Sequence, residues 1–455
     1  MKEYLSPEDA LKRLNGKYFR SVAYDRFRVY ERRWNSSLKR WVLRALTAAD
    51  FSLLHRSALV TIEQGKPEPL GPWWLANSQA KIYENIEFNP DPWRESSPST
   101  FNLFSGWPPA DKPAPIDAPW PAIERHFHEV LANGDDELYK HLLDWFAWML
   151  QRPHEPSGVI LAIRGVQGSG KTSLGELGRA LIGSQHYFHT SNPKHLLGHF
   201  NQHLEETILV FSDEAVWSGD RQGLPTLKSL ATDPTFAVEA KGLPVRTARN
   251  CLHIILATNN DWVAPVEIGD RRFTTIETNS KLAQNAEHFN ALHAEINGDA
   301  LFGFRYALLT RPLRERLRKP DSITVRYNEI EQLRHSWEYG NTFLSWLDVR
   351  LDEGEMIKDQ GWLTLVSKDR LYDDYVNLLT ITGRHKHIID PRVFGREMVR
   401  TFPMLETQRL RTGIDSRERC WKMPPLPVAL DAMEARIGIQ GFYNRLALLA
   451  ADPIH

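Results

Sequence analysis

The stretch Gly165-Val166-Gln167-Gly168-Ser169-Gly170-Lys171-Thr172 fits the pattern G-x-x-x-x-G-K-[ST] and constrains the chain more than any other feature. Before it, Val159–Ile163 is a continuous apolar run, as expected for a strand buried on both faces. After it, Leu174, Leu177 and Leu181 recur at helical spacing. A loop between a strand and a helix, curled by Gly165, Gly168 and Gly170, points backbone N–H groups inward at the positive end of the helix and so forms an anion cradle. Gly165, Gln167, Gly168, Ser169, Gly170, Lys171, Thr172 and Ser173 are therefore the expected phosphate-binding residues, for ATP. Lys171 reaches the outer phosphates and the Thr172 hydroxyl is a ligand for Mg²⁺.

Two further apolar runs end in polar tips. Thr207–Glu214 closes on adjacent acids. In nucleoside triphosphatases of this kind the first acid holds Mg²⁺ and the second polarises the attacking water, roles that Asp213 and Glu214 fit. Cys251–Asn260 closes on amides, and Asn259 is placed to hydrogen-bond a terminal phosphate or the water. Arg271 and Arg272 follow. Unpaired burial of either is costly, so they are read as an arginine finger reaching a neighbouring subunit, with a surface ion pair as the alternative.

At 455 residues the chain is long for one core. No apolar run approaches the 18 or so residues of a membrane span, the N-terminal residues lack a signal pattern, and two cysteines are too few for a disulfide framework. These features lead us to expect a soluble protein of a reducing cytoplasm. With a net charge of −1, nucleic-acid binding has to come from local basic surfaces. One such surface lies in the first 50 residues, with 12 Lys or Arg against 6 Asp or Glu. There Arg26, Arg28, Arg32 and Arg33 interleave with Phe27, Tyr30 and Trp34. This pattern suits either a single-strand platform or a small β-rich domain with wet arginines. Residues 67–121 are crowded with Pro and Trp and cannot carry long helices. A helix capped by Asn133 or Asp135 and striped by Leu138, Leu142, Trp145, Phe146 and Met149 follows. The run Arg311–Lys319 reads as a solvated helix face, with a DNA role as the alternative, and His126, His128, His385 and His387 as surface histidines. From 335 to 425 the order is helix, helix, helix, hairpin, as in a winged helix, with Arg392, Arg396 and Arg400 on the third helix.

The loop at 165–172, His195–Asn201, Phe211–Ala215, Leu227–Thr232, Val238–Lys241, Ala257–Asn260 and Asp270–Phe273 together resemble superfamily 3 helicases. The likeness is nearest to the phage and prophage primase-helicase group related to the poxvirus primase-helicase, which would make the expected cytoplasm that of a bacterial host. It covers residues 130–300 specifically and extends to about 425. It implies an α/β fold with an AAA+ P-loop ATPase core, a homohexameric ring, and hydrolysis coupled to movement along single-stranded DNA in a central channel. In such helicases a β-hairpin between the acids and the amide strand grips DNA, which singles out Lys241 and Arg246. We expect an N-terminal α+β accessory domain over 1–120, the ATPase domain with its preceding helices over 121–330, a winged-helix-like domain over 335–425 that contacts duplex DNA or else braces the ring, and a helical tail over 426–455. Relatives that also make primers need paired acids for metal ions, and no Asp-x-Asp precedes residue 165, so a separate primase or polymerase is expected. An AAA+ remodeller or defence ATPase without unwinding, and a DNA-binding initiator, stay open as alternatives.

Overall fold

The structure is a computed structural model that describes all residues except 1–2, 24–25, 38–39, 63–64, 109–114, 215–222, 240–244, 264–266, 268–269, 321–322, 412–416 and 444–455. Its centre is a five-stranded, all-parallel sheet in the order Tyr187–Thr190, Leu209–Asp213, His253–Thr258, Ile160–Arg164, Phe273–Glu277. The apolar runs are continuous because both faces are covered, and the pleat sends alternate residues to opposite sides. Leu161, Ile163, Leu209, Phe211 and Ile255 pack on one face with the helices Asp136–Gln151 and Lys171–Ile182. Ile160, Ala162, Val210, Ile254 and Leu256 pack on the other, in a core that continues to Phe343, Trp346, Tyr375 and Phe394 of the C-terminal region.

Asp135 caps the helix Asp136–Gln151, accepting from the N–H groups of Glu137 and Leu138, and all five residues of the expected stripe are buried. Trp145 Nε1 donates to the Val159 carbonyl at 2.8 Å and so ties this helix to the start of the strand before the loop.

In the N-terminal region a four-stranded sheet in the order Arg40–Leu46, Arg28–Asn35, Tyr18–Ser21, Ile82–Tyr83 packs with three short helices around Leu14, Phe51 and Trp74. Ser6 and Thr47 cap two of those helices. Among the described residues, 67–121 carry only short elements, the longest before Pro121 being the helix Leu70–Ala76.

The helix Ile323–Gly340 runs through the interval 330–335, and Val263 N–H donates to Gln332 on it at 2.8 Å. Beyond it, the helices Thr342–Glu353, Lys368–Ile381 and Pro391–Thr401 surround an antiparallel sheet of order Leu365–Ser367, Arg417–Lys422, Glu406–Arg411. The helix Leu426–Ile437 packs through Ala429, Met433 and Ile437 into the same core.

The basic run 311–319 is not helical. Arg311 is paired with Asp144 at 2.5 Å and Lys319 with Glu329 at 2.7 Å, so partners on neighbouring helices hold it extended across the surface. Among the described residues no helix is long and apolar enough to cross a membrane.

Candidate functional site

The strand Ile160–Arg164 delivers the chain into the glycine loop, and the helix Lys171–Ile182 begins at Gly170. Gly170 has φ +93°, and a Cβ there would meet His126 and, at 2.9 Å, Phe289 Cε1. Gly168 has φ +80° and would meet Gln284 Cγ at 2.8 Å. Both positions exclude a side chain on two grounds, left-handed backbone and walls already in place. The Gln284 N–H also donates to the Gly168 carbonyl at 3.0 Å, and Thr278 Oγ1 donates to Ser169 Oγ at 2.8 Å. The segment after the last strand therefore braces the loop from outside.

Lys171 is buried, and its Nζ donates to the carbonyls of Gly165 and Val166 at 2.7 and 3.0 Å. Burial pushes its pKa down, while the nearby carboxylates of Asp213 and Glu214 push it back up. Those acids end the strand Leu209–Asp213, two positions across the sheet from the loop strand, at roughly 5 Å per position. The intervening strand is His253–Thr258, so its tip places Asn259 between Lys171 and Glu214. Asn259 Nδ2 donates to Glu214 Oε1 at 3.0 Å. Glu214 has φ +59°, a left-handed conformation that costs a non-glycine residue on the order of 1 kcal/mol and is found where surroundings over-determine the backbone.

A cavity of about 430 Å³ joins these groups, lined by Gln167–Ser173, Asp213, Glu214 and Asn259 and closed by Gln284, Phe289 and His293. It has a cationic floor, a hydroxyl at Thr172 and two carboxylates across from them. These donors suit a nucleoside triphosphate with Mg²⁺: one hydroxyl and one carboxylate fall short of a closed metal cage, and Mg²⁺ in such sites is completed by phosphate oxygens and water. Among the described residues no cluster of three or more His, Cys, Asp or Glu could hold a metal by itself.

His126, expected on the surface, is buried against Gly170. It starts a π-helical turn, His126–Leu131, that rotates its ring inward, and its Nδ1 lies 3.2 Å from His288 Nε2. Burial, aided by His288, lowers its pKa to about 3.

Arg271 and Arg272 stand at the start of the strand Phe273–Glu277, whose register with Ile160–Arg164 puts them at the end of the sheet opposite the loop, about 16 Å away along the strand. Arg271 is exposed. Arg272 lies 3.5 Å from Asp270, which is also bound by Lys228 at 2.8 Å. Thr235–Val238 and Arg246–Arg249 form an antiparallel pair, with Lys241 outside the described residues. Arg246 sits opposite Val238 at the turn end of the described ladder, and its guanidinium grips both carboxylate oxygens of Glu205, one at 2.7 Å. It is thus committed to an ion pair. Arg392 and Arg396 border a groove of about 1280 Å³ with Lys368, Tyr372, Arg419 and Trp421, and Arg400 is exposed 3.9 Å from Glu397.

Residues 163–272 match a protein family described as a family of unknown function (DUF5906). Over 214 residues the chain is 25% identical to the DNA primase-polymerase of Nitratiruptor phage NrS-1, a match covering 46% of this chain and 29% of that protein. It thus spans less than a third of that relative's length. Apo structures of the NrS-1 C-terminal region superpose with TM-scores of 0.55 and 0.56 at 18% and 17% identity. They cover 91% of this chain and 98% and 99% of theirs, so the chain shares that region's fold over nearly its whole length.

Proposed function

We propose that this chain is an ATP-driven DNA helicase, a ring-forming AAA+ motor of the superfamily 3 type that serves replication of a phage or prophage. One observation carries the reading: Lys171, Thr172, Asp213, Glu214 and Asn259 converge on one cavity from three adjacent strand ends. The sheet order, with the amide strand between the loop strand and the acid strand, supports the AAA+ assignment. The match to a phage primase-polymerase supports the replication setting.

In this reading the loop N–H groups and Lys171 neutralise the phosphates. The Lys171 ammonium exchanges its carbonyl partners in the loop for phosphate oxygens, a stronger charge-assisted contact. Glu214 takes the proton of the attacking water, and Asn259 holds that carboxylate in position. Mg²⁺, held by Thr172 and Asp213, supplies charge neutralisation when bound. Arg271 or Arg272 cannot reach the phosphates of its own subunit across the length of the sheet, which favours delivery in trans within a homohexamer. We assign the DNA-gripping role in the channel to the segment bearing Lys241, with Arg246 tied to Glu205 at the turn end of the described ladder. The three helices and three-stranded sheet of the C-terminal region are read as a winged helix that offers Arg392, Arg396 and Arg400 to duplex DNA.

The test is hydrolysis of ATP by the purified chain with and without a single-stranded oligonucleotide. Stimulation by the oligonucleotide supports a motor on DNA. Hydrolysis indifferent to DNA would favour a remodeller acting on protein.

A further inference from the structure

The strands Arg28–Asn35 and Arg40–Leu46 pair antiparallel, with Trp34 opposite Trp41, Arg33 opposite Val42, Arg32 opposite Leu43 and Glu31 opposite Arg44. The inner half is rooted in the domain: Val29, Tyr30 and Glu31 are buried, and Phe19 stacks between Tyr30 and Phe101 at 5.4 and 4.5 Å. From Arg32 outward three successive residues are exposed, although successive side chains point to opposite faces. The outer half of the hairpin is therefore an arm exposed along Arg32–Trp34, while Arg40, Val42 and Leu43 of the paired strand stay half-buried. One face carries Arg32, Trp34, Trp41 and Leu43, and the other Arg33, Arg40, Val42 and Arg44.

The two indoles stand edge to face at 5.6 Å, yet Trp34 remains 50% and Trp41 42% exposed, with the Arg32 guanidinium 4.7 Å over the Trp41 ring. A cross-strand staple accounts for their contact with each other and Arg32 covers one face of Trp41, but neither accounts for the exposed remainder of the two rings. The charge on the arm is one-signed. Its two strands hold five arginines and a single acid, Glu31, which is buried and bound by Lys17 at 2.8 Å and Arg44 at 3.7 Å. In a chain of net charge −1 this is a local concentration of cations and open aromatic rings. The arm's outer strand lies beside Gln185 and Glu206, which precede the strands Tyr187–Thr190 and Leu209–Asp213, at the end of the sheet opposite Lys171. It is separate from the nucleotide cavity.

We propose that this arm binds single-stranded nucleic acid, with bases stacking on Trp34 and Trp41 and phosphates held by Arg32, Arg33, Arg40 and Arg44. Open rings accept any base, and guanidinium groups pair with phosphates, so recognition is independent of sequence and falls as salt rises. The inference does not depend on the chain being a motor.

The experiment uses the full chain without nucleotide and follows fluorescence anisotropy of labelled dT20 and rU20, whose two affinities separate DNA from RNA as the strand bound. Trp34→Ala and Trp41→Ala should each weaken binding by roughly 5- to 100-fold, and Trp34→Phe or Trp41→Phe should restore most of it. Against the possibility that the alanine variants unfold, wild-type protein is crosslinked to an iodouridine oligonucleotide and the adducts mapped by mass spectrometry. Adducts at Trp34 or Trp41 are expected. Unchanged binding in folded alanine variants, or adducts confined to other segments, overturns the proposal and hands the arm to a protein partner.

Discussion

The Asn259 side-chain amide donates to Glu214 Oε1 at 3.0 Å, joining the tips of two adjacent strands next to the glycine loop. Glu214 also has a left-handed backbone, and the Asn259 amide fixes one of its two carboxylate oxygens. Glu214→Gln should keep nucleotide binding and slow hydrolysis by roughly 10²- to 10⁴-fold, the usual contribution of a positioned base. Asn259→Ala should slow hydrolysis less, with nucleotide affinity retained. Single-turnover hydrolysis and a binding titration on the same preparations check this, and wild-type-like turnover in Glu214→Gln would remove Glu214 from the role of base.

Arg271 and Arg272 lie too far from the loop of their own subunit to act there. Alanine at the finger should leave ATP binding intact and slow hydrolysis, by roughly 10³- to 10⁵-fold at the extreme. Mixing that variant with a Lys171→Ala variant should recover activity, because some interfaces then combine two intact halves. Absence of recovery at every mixing ratio would argue against action in trans.

Arg246→Ala should show up in folding more than in DNA affinity. It strands Glu205, and breaking a part-buried, doubly bonded pair costs about 1–3 kcal/mol, read as a lower melting temperature. A variant that melts like wild type but loses DNA affinity would return Arg246 to the channel.

Four histidines make stability sensitive to acid. Burial lowers the pKa of His126 to about 3 and of His141, His186 and His253 to about 4, whereas in the unfolded chain each titrates near 6.5. The unfolded state therefore takes up protons first. The stability of the neutral buried form is fully present above about pH 6.5 and is lost as pH falls toward 4, at up to about 1.4 kcal/mol per pH unit for each histidine. Chemical denaturation at pH 7, 6 and 5 should give falling stability, with a shallower slope in His126→Gln. A flat profile over that range would contradict the burial of these rings.

The glycine-loop side of the cavity is legible in the sequence because the pattern sets glycine, lysine and hydroxyl at fixed offsets inside one strand-loop-helix unit. The acid and amide tips are legible because strands buried on both faces stand out as apolar runs. The closing wall is not. Gln284, Phe289 and His293 come from a segment whose local signal is an Asn285-capped helix, and the π-helical turn at the buried His126 has no sequence signature. Nor does the Arg311–Lys319 run announce its state: its charges are spaced like a helix face, whereas the acids that pair with its two ends lie outside it, Asp144 far away in sequence and Glu329 on the helix that follows. The single core shared by the sheet and the C-terminal helices is likewise a tertiary property, invisible to any local pattern.

The most direct measurement is strand displacement by the purified chain on duplexes carrying a 3′ or a 5′ single-stranded tail, with ATP and Mg²⁺ and with Lys171→Ala in parallel. We expect wild-type protein to displace one of the two tailed substrates in an ATP-dependent manner and Lys171→Ala to displace neither. Displacement of neither substrate by a wild-type protein that hydrolyses ATP, or equal displacement by Lys171→Ala, would contradict the assignment of this chain as a DNA helicase driven from the Lys171 cavity.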